Sequence, residues 1–288
     1  MEISAEILNQ FYQVGWEQRW ISRLDRKFIP GEAGFKYRLF TTLKMLKFHR
    51  GEAFFILDLG CGVGIYDIQI LKSFKKARSL AVDLSTEQIK AARMLVNKAG
   101  VQDRIDFEAA DVASFSAQIK PNLILATEIL EHLPDPAPVL ENIKRTADEN
   151  TQIIISVPCK LHETQNDWVY HRQITGDNWQ NIQSEKTEEL NNAEPQYSFY
   201  HKEYTPQEIQ KVLTDRGFVI NRINFCYYQY PEHLVSGRFK RKLVKLLNYL
   251  NRRIIFKPMD YFLGYILGEN YFETIILDCA LAKPRRDK

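Results

Sequence analysis

The sequence predicts an α/β domain built on a mostly parallel sheet with helices on both faces, and three observations carry that prediction. From about residue 54, short apolar runs alternate with amphipathic stretches, the pattern of βαβ units. A glycine-rich turn, Asp58-Leu59-Gly60-Cys61-Gly62-Val63-Gly64, stands where the first run gives way to a helical stretch. Acidic residues then recur at the ends of the following runs, Asp83 and Asp111.

The strand-like runs are 54–59, 79–82, 104–107, 122–126 and 152–157, followed later by 218–230 and 271–282, seven in all. The last two read as a hairpin-like pair at the sheet edge. The clearest helix lies between Ser85, a capping residue, and Gly100, a stop. A second begins at Thr205-Pro206-Gln207-Glu208, with a cap, Pro in the first turn and Glu three residues after the cap, and runs to Gly217.

Residues 1–50 read as a helical extension with Ile7, Leu8, Phe11 and Tyr12 at helix spacing, then Tyr37, Leu39, Phe40, Leu43 and Leu46. The rest, 51–288, reads as the main domain with insertions at about 158–203 and 231–269. The first insertion holds some forty-five residues in which the alternation lapses, an irregular segment long enough to signal a functional loop or lid. Its aromatics, Trp168, Tyr170, Trp179, Tyr197, Phe199 and Tyr200, either cover an apolar substrate or pack beneath the loop.

Composition excludes several classes. With 45% hydrophobic and 26% charged residues the chain is neither disordered nor fibrous, and no internal repeat is visible. A net charge of +3 over 288 residues does not by itself point to nucleic acid. Four cysteines without CxxC spacing suggest a reduced, intracellular protein without structural zinc. No amino-terminal apolar core of a secretory signal and no run of ~18 apolar residues is found, so a cytoplasmic location is expected.

The glycine turn narrows the ligand. Glycine lets the backbone turn tightly and approach a ligand closely at the carboxyl end of a strand. A dinucleotide site asks for G-x-G-x-x-G, and Ile65 occupies the place of the third glycine. Asp58 would repel a diphosphate yet could hold an ammonium group. Asp83, about twenty residues on, suits ribose hydroxyls, and Asp111 an adenine amino group. Three carboxylates on successive strand ends favour a cationic adenosyl ligand over NAD.

These residues, with Glu128-Ile129-Leu130-Glu131-His132-Leu133-Pro134-Asp135-Pro136, resemble the successive motifs of class I S-adenosylmethionine-dependent methyltransferases, particularly the ubiquinone-biosynthesis type of small-molecule O-methyltransferase. The resemblance covers roughly 50–160, with a weaker echo at Tyr204-Thr205-Pro206 and beyond, and implies a Rossmann-like seven-stranded sheet. It further implies S-adenosylmethionine as cofactor, with Gly60 and Gly62 at the methionine moiety and Asp58, Cys61 and Gly64 among the residues that bind it. Asp83 would lie at the ribose, Asp111 and Val112 at the adenine, and Thr127 or Glu128 at the amino-acid end, with Leu84 a further cofactor-binding residue.

If 128–132 is helical, Glu128, Glu131 and His132 share one face and, with His201, could hold a divalent metal. That set is similar to the one in small-RNA 2′-O-methyltransferases. His132 is alternatively a general base toward a hydroxyl, or a framework histidine.

Residues 238–257 form a basic amphipathic stretch, Arg238-Phe239-Lys240-Arg241-Lys242-Leu243-Val244-Lys245 and onward. It suits peripheral contact with an anionic membrane, contact with phosphates of an activated sugar, carrier or RNA, or a solvated helix capping the site. The expected reaction is methyl transfer to a small-molecule or lipid-like acceptor, at oxygen. The competing readings are an NAD-dependent oxidoreductase or epimerase and a non-catalytic adenosyl-binding scaffold.

Overall fold

A computed structural model describes residues 33–159, 168–175, 178–182, 196–228, 242 and 272–282. In chain order the strands are β1 (Phe55–Leu59), β2 (Arg78–Asp83), β3 (Ile105–Ala109), β4 (Leu123–Thr127) and β5 (Gln152–Pro158). β6 (Trp168–Thr175), β7 (Asn178–Ile182), β8 (Gln196–His201), β9 (Phe218–Tyr228) and β10 (Phe272–Leu281) follow. The helices are α1 (Ala33–Met45), α2 (Ile65–Ser73), α3 (Thr86–Ala99), α4 (Ala137–Thr146) and α5 (Pro206–Thr214).

Seven strands form one sheet in the order β3-β2-β1-β4-β5-β10-β9. The first five are parallel, and β10 runs antiparallel to both β5 and β9. All five residues of β4 are buried, as a parallel strand covered on both faces requires. The last two strands are the expected antiparallel edge pair, with a register shift at Asp278/Cys279.

Side chains alternate between two cores. Ile56, Ala81, Leu123, Leu125 and Ile154 face α1, α2 and α3, while Leu57, Leu59, Ile124, Ala126 and Ile155 face α4 and α5. The caps read from the sequence hold: Ser85 accepts from the Gln88 N–H, Gly100 closes α3 at φ 68°, and Thr205 with Glu208 forms a capping box on α5. Strand order reverses between β1 and β4, so a crevice opens at their carboxyl ends, where open α/β sheets bind ligands.

The first insertion differs from the expectation of an irregular segment. It carries a second, antiparallel three-stranded sheet, β7-β6-β8, in which Trp168 pairs with His201 and Thr175 with Asn178. Aromatic and β-branched residues favour strands, and they cluster at 168–175 and 196–201 without a clean alternation, which the surrounding polar sequence obscures further. The end of β8 runs beside the segment after β4: the Lys202 N–H donates to the Glu131 carbonyl at 2.9 Å.

Of the amino-terminal extension, α1 is helical as expected; residues 1–32, including Ile7 to Tyr12, lie outside the described residues. Its carboxyl end is tied to the sheet, because Gln152 donates to the Met45 carbonyl at 2.8 Å and Arg222 donates to it as well. The basic stretch 238–257, apart from Lys242, also lies outside them. All four cysteines are free, and among the described residues no helix is long and apolar enough to cross a membrane.

Candidate functional site

The glycine turn folds over the end of β2. The N–H groups of Gly60 and Cys61 both donate to the Val82 carbonyl, at 2.8 and 3.0 Å. Gly60, Gly62 and Gly64 all take positive φ, at 76°, 53° and 71°. At Gly60 an added Cβ would come within 2.5 Å of Ile129 Cδ1, whereas at Gly62 it would meet nothing within 4 Å. Gly60 is thus glycine for packing, and Gly62 faces open space at the crevice.

Asp83 binds this turn from below. Its Oδ2 accepts from the Gly62 N–H at 2.8 Å and its Oδ1 from the Ser85 N–H at 2.8 Å. Burial raises its pKa, and the two amides work in the opposite direction. Each carboxylate oxygen keeps a lone pair, so two hydroxyls on adjacent carbons can still donate to it. Leu84 beside it is half-buried. On the next strand Asp111 is exposed, with Oδ1 taken by the Ala113 N–H at 2.9 Å, and Val112 is buried. Thr127, buried, ends β4.

Asp58 is placed elsewhere than a direct grip on an ammonium group requires. It is 1% exposed and its carboxyl group faces that of Asp67 from α2, beneath the turn. Cys61, half-buried, lies in the field of Asp83, Asp58 and Asp67, and burial first of all pushes its thiol up.

The mouth of β4 departs from a single helical face. Only a 3-10 turn forms there, at Leu130–His132, and Glu128 precedes it at φ 55°, a left-handed conformation that an L-residue holds only when its surroundings impose it. Ser156 Oγ donates to Glu128 Oε1 at 2.8 Å and Arg38 Nη1 to Oε2 at 2.5 Å. Glu131 turns inward, 2% exposed, with Oε2 lacking a donor. His132 turns outward at 56% exposure, 3.8 Å from Glu131 Oε1.

The facing assumed for Glu128, Glu131 and His132 therefore does not arise, and among the described residues no group of three such side chains converges on a metal. The His201 side chain lies outside the described residues. Burial, with Glu128 adding to it, raises the Glu131 pKa well above the carboxylate range.

Arg38, which no sequence motif marks, also lies at the mouth. α1 brings it onto Glu128, and its Nε donates to the Tyr66 hydroxyl at 3.2 Å. Burial opposes its charge, but Glu128, Tyr66 and Glu131 outweigh that and hold it protonated. Asp67 did leave a signal: an acid among Ile65, Tyr66, Ile68, Ile70 and Leu71, on a helix otherwise apolar toward the sheet. Arg38 left none, being one basic residue among several in its helix.

A family model described as a methyltransferase domain matches residues 52–192, which contain the turn, Asp83, Asp111 and the segment after β4. Over that stretch, just under half of its 288 residues, the chain is similar to methyltransferases. Among such methyltransferases it is 32% identical over 88 residues to a ubiquinone biosynthesis O-methyltransferase of Psychrobacter cryohalolentis, covering 30% of this chain and 34% of that one. It is 26% identical over 101 residues to norajmaline N-methyltransferase of Rauvolfia serpentina, covering 35% and 34%. The match to the Psychrobacter enzyme thus spans about a third of that relative's length, and the match to the ubiquinone biosynthesis O-methyltransferase of Aeromonas salmonicida spans 66%.

The solved structure of magnesium protoporphyrin IX methyltransferase from Synechocystis shares the fold at TM-score 0.56 and 14% identity, over 96% of this chain and 97% of that one. A cyclase, SpnF, shares it at TM-score 0.60 and 12% identity, over 97% and 96%. The methyltransferase fold thus also serves a cyclase, and the fold alone does not name the reaction.

The residues at the crevice fit S-adenosylmethionine. Gly62 offers open space, Asp83 free acceptor capacity, and Asp111 an unengaged oxygen at the strand end two places from the turn.

Proposed function

We propose that this protein transfers the sulfonium methyl group of S-adenosylmethionine to a small-molecule acceptor, at an oxygen. The observation that carries the reading is the Asp83 carboxylate, held by the amides of Gly62 and Ser85 beside open space at the point where strand order reverses. When bound, the cofactor supplies a methyl group on a positively charged sulfur, electrophilic without further activation.

The protein's own residues then do the binding and aligning. Asp83 would accept from the ribose hydroxyls, Leu84 and Val112 would wall the base, and Asp111 would accept from its amino group. At the amino-acid end Arg38 would offer a guanidinium to a carboxylate and Glu128 a carboxylate to an ammonium, with Thr127 alongside. Holding nucleophile, methyl and sulfur in line lowers the barrier by up to ~7–11 kcal/mol, so a strong base is not required. His132, exposed at the mouth, would be the group that takes the acceptor's proton.

Oxygen as acceptor is supported by the ubiquinone biosynthesis O-methyltransferases among the relatives, against which stands the N-methyltransferase. The basic stretch 238–257 supports a lipid-like acceptor reached from an anionic membrane surface, each basic residue there being worth about 1 kcal/mol. The test is calorimetric titration with S-adenosylmethionine, S-adenosylhomocysteine and NAD, followed by methyl-labelled turnover on fractionated small molecules and lipids. Binding of both adenosyl ligands without NAD, and a labelled product with an ether or ester methyl, is expected. NAD binding in their place overturns the reading, and absence of pelleting with anionic vesicles at low salt removes the membrane contact.

A further inference from the structure

Asp58 and Asp67 are not explained by the site as drawn. Both carboxyl groups are buried, at 1% and 0% exposure, and they lie within hydrogen-bonding reach of each other. The Ser79 hydroxyl donates to Asp67 Oδ1 at 2.5 Å, which leaves Asp67 Oδ2 and Asp58 Oδ1 with no donor to accept from. No ion pair joins either of them to a Lys or Arg among the described residues. The charged and titratable groups facing the pair are themselves acidic: Asp83 at the end of β2 and the Cys61 thiol in the turn.

Two carboxylates in contact inside a protein cannot both stay ionised without a cation. One proton held between them satisfies the stranded oxygens and leaves a single negative charge directly beneath the glycine turn.

We propose that Asp58 and Asp67 share one proton, and that the charge they retain selects a sulfonium-bearing ligand over its neutral thioether in the cradle above. The inference rests on the adenosyl-ligand reading. S-Adenosylmethionine and S-adenosylhomocysteine carry the same ammonium and carboxylate, so their ratio of affinities isolates the sulfur's charge. The pair favours the methyl donor and, after transfer, holds the spent product less firmly. Burial raises the pKa of both groups, so as the pH is lowered a second proton arrives earlier than it would for an ordinary carboxyl group. The pair is then neutral and the preference is lost.

The experiment measures Kd for the two ligands by calorimetry between pH 5 and 8. In the wild type, affinity for the sulfonium ligand relative to the thioether falls by about tenfold toward acid, the effect of one elementary charge over roughly 10 Å at an effective dielectric of about 20. Asp67→Asn keeps a hydrogen-bond donor beside an ionised Asp58 and so preserves the ratio at pH 8. The double variant Asp58→Asn/Asp67→Asn removes the charge and lowers that ratio to the wild type's acid value at every pH.

At the mouth Glu128 and Arg38 also bear charge and Glu131 takes up a proton, and the double variant separates them. A pH dependence that survives in it belongs to the mouth and overturns the proposal, as does a flat wild-type ratio. Where the double variant fails to fold, a ratio at pH 8 that falls in Asp67→Asn overturns it equally. If neither ligand binds the wild type, the adenosyl reading itself fails, a result distinct from binding with an unvarying ratio.

Discussion

Replacing Gly62 with alanine separates what the turn does for the fold from what it does for the ligand. At φ 53° an L-residue costs about 1–2 kcal/mol, and no protein atom lies within 4 Å of the new Cβ to add to that. Gly100, the cap of α3 at φ 68°, is an internal control, for it too has nothing within 4 Å and lies away from the crevice. Gly62→Ala and Gly100→Ala should therefore lower Tm by similar amounts, about 2–6 °C for a chain of this size. Their binding should differ. The Gly62 methyl projects into the space assigned to the ligand, beside the amide that holds Asp83, and a tenfold loss of affinity corresponds to about 1.4 kcal/mol. Differential scanning fluorimetry and calorimetry with S-adenosylhomocysteine read the two quantities. Equal stability loss with at least a tenfold drop in affinity for Gly62→Ala alone is expected; wild-type affinity in Gly62→Ala would refute the placement.

Asp83→Ala removes the acceptor of the ribose hydroxyls, so affinity should fall by about 1.5–3 kcal/mol for each charge-assisted bond lost, and unchanged calorimetric affinity would remove that assignment. Arg38→Met keeps the packing of the stem and deletes the charge over Glu128; KM for the cofactor should rise at least about tenfold with a smaller change in kcat, and an unaltered KM counts against Arg38 at the amino-acid end. Glu131 stays protonated in the fold above the pH at which the unfolded chain ionises, so the unfolded state binds fewer protons there and stability falls as pH rises past about 4.3 toward the raised value. In urea melts from pH 4 to 8 Glu131→Gln should flatten part of that fall, Asp58 and Asp67 keeping the remainder, and a slope identical to wild type would contradict it.

Local signals made the sheet legible. Parallel strands buried on both faces must be apolar throughout, so 122–126 and 152–157 announce themselves, and Ser85, Gly100 and the Thr205 box mark helix ends through side chains within three residues. The glycine turn and Asp83 are legible for the same reason, being one contiguous strand-turn-helix and the next strand's end. What stayed hidden depends on distant segments. Arg38 meets Glu128 across ninety positions, and nothing around it in sequence marks it. The inward and outward turns of Glu131 and His132 follow from Glu128 at φ 55°, which Arg38 and Ser156 hold from other elements, so a helical reading of 128–132 had no local contradiction. The strands at 168–175, 178–182 and 196–201 are short and pair mainly with one another, and the polar residues among and between them mask their pattern.

The most direct test of the cradle is a crystal structure of the protein soaked with S-adenosylhomocysteine. The ribose hydroxyls should lie within hydrogen-bonding distance of both Asp83 oxygens, with the backbone at Gly62 against the ligand and Arg38 or Glu128 at its amino-acid end. Density for the ligand away from the β1 and β4 carboxyl ends, or an Asp83 carboxylate that touches none of it, would contradict the account.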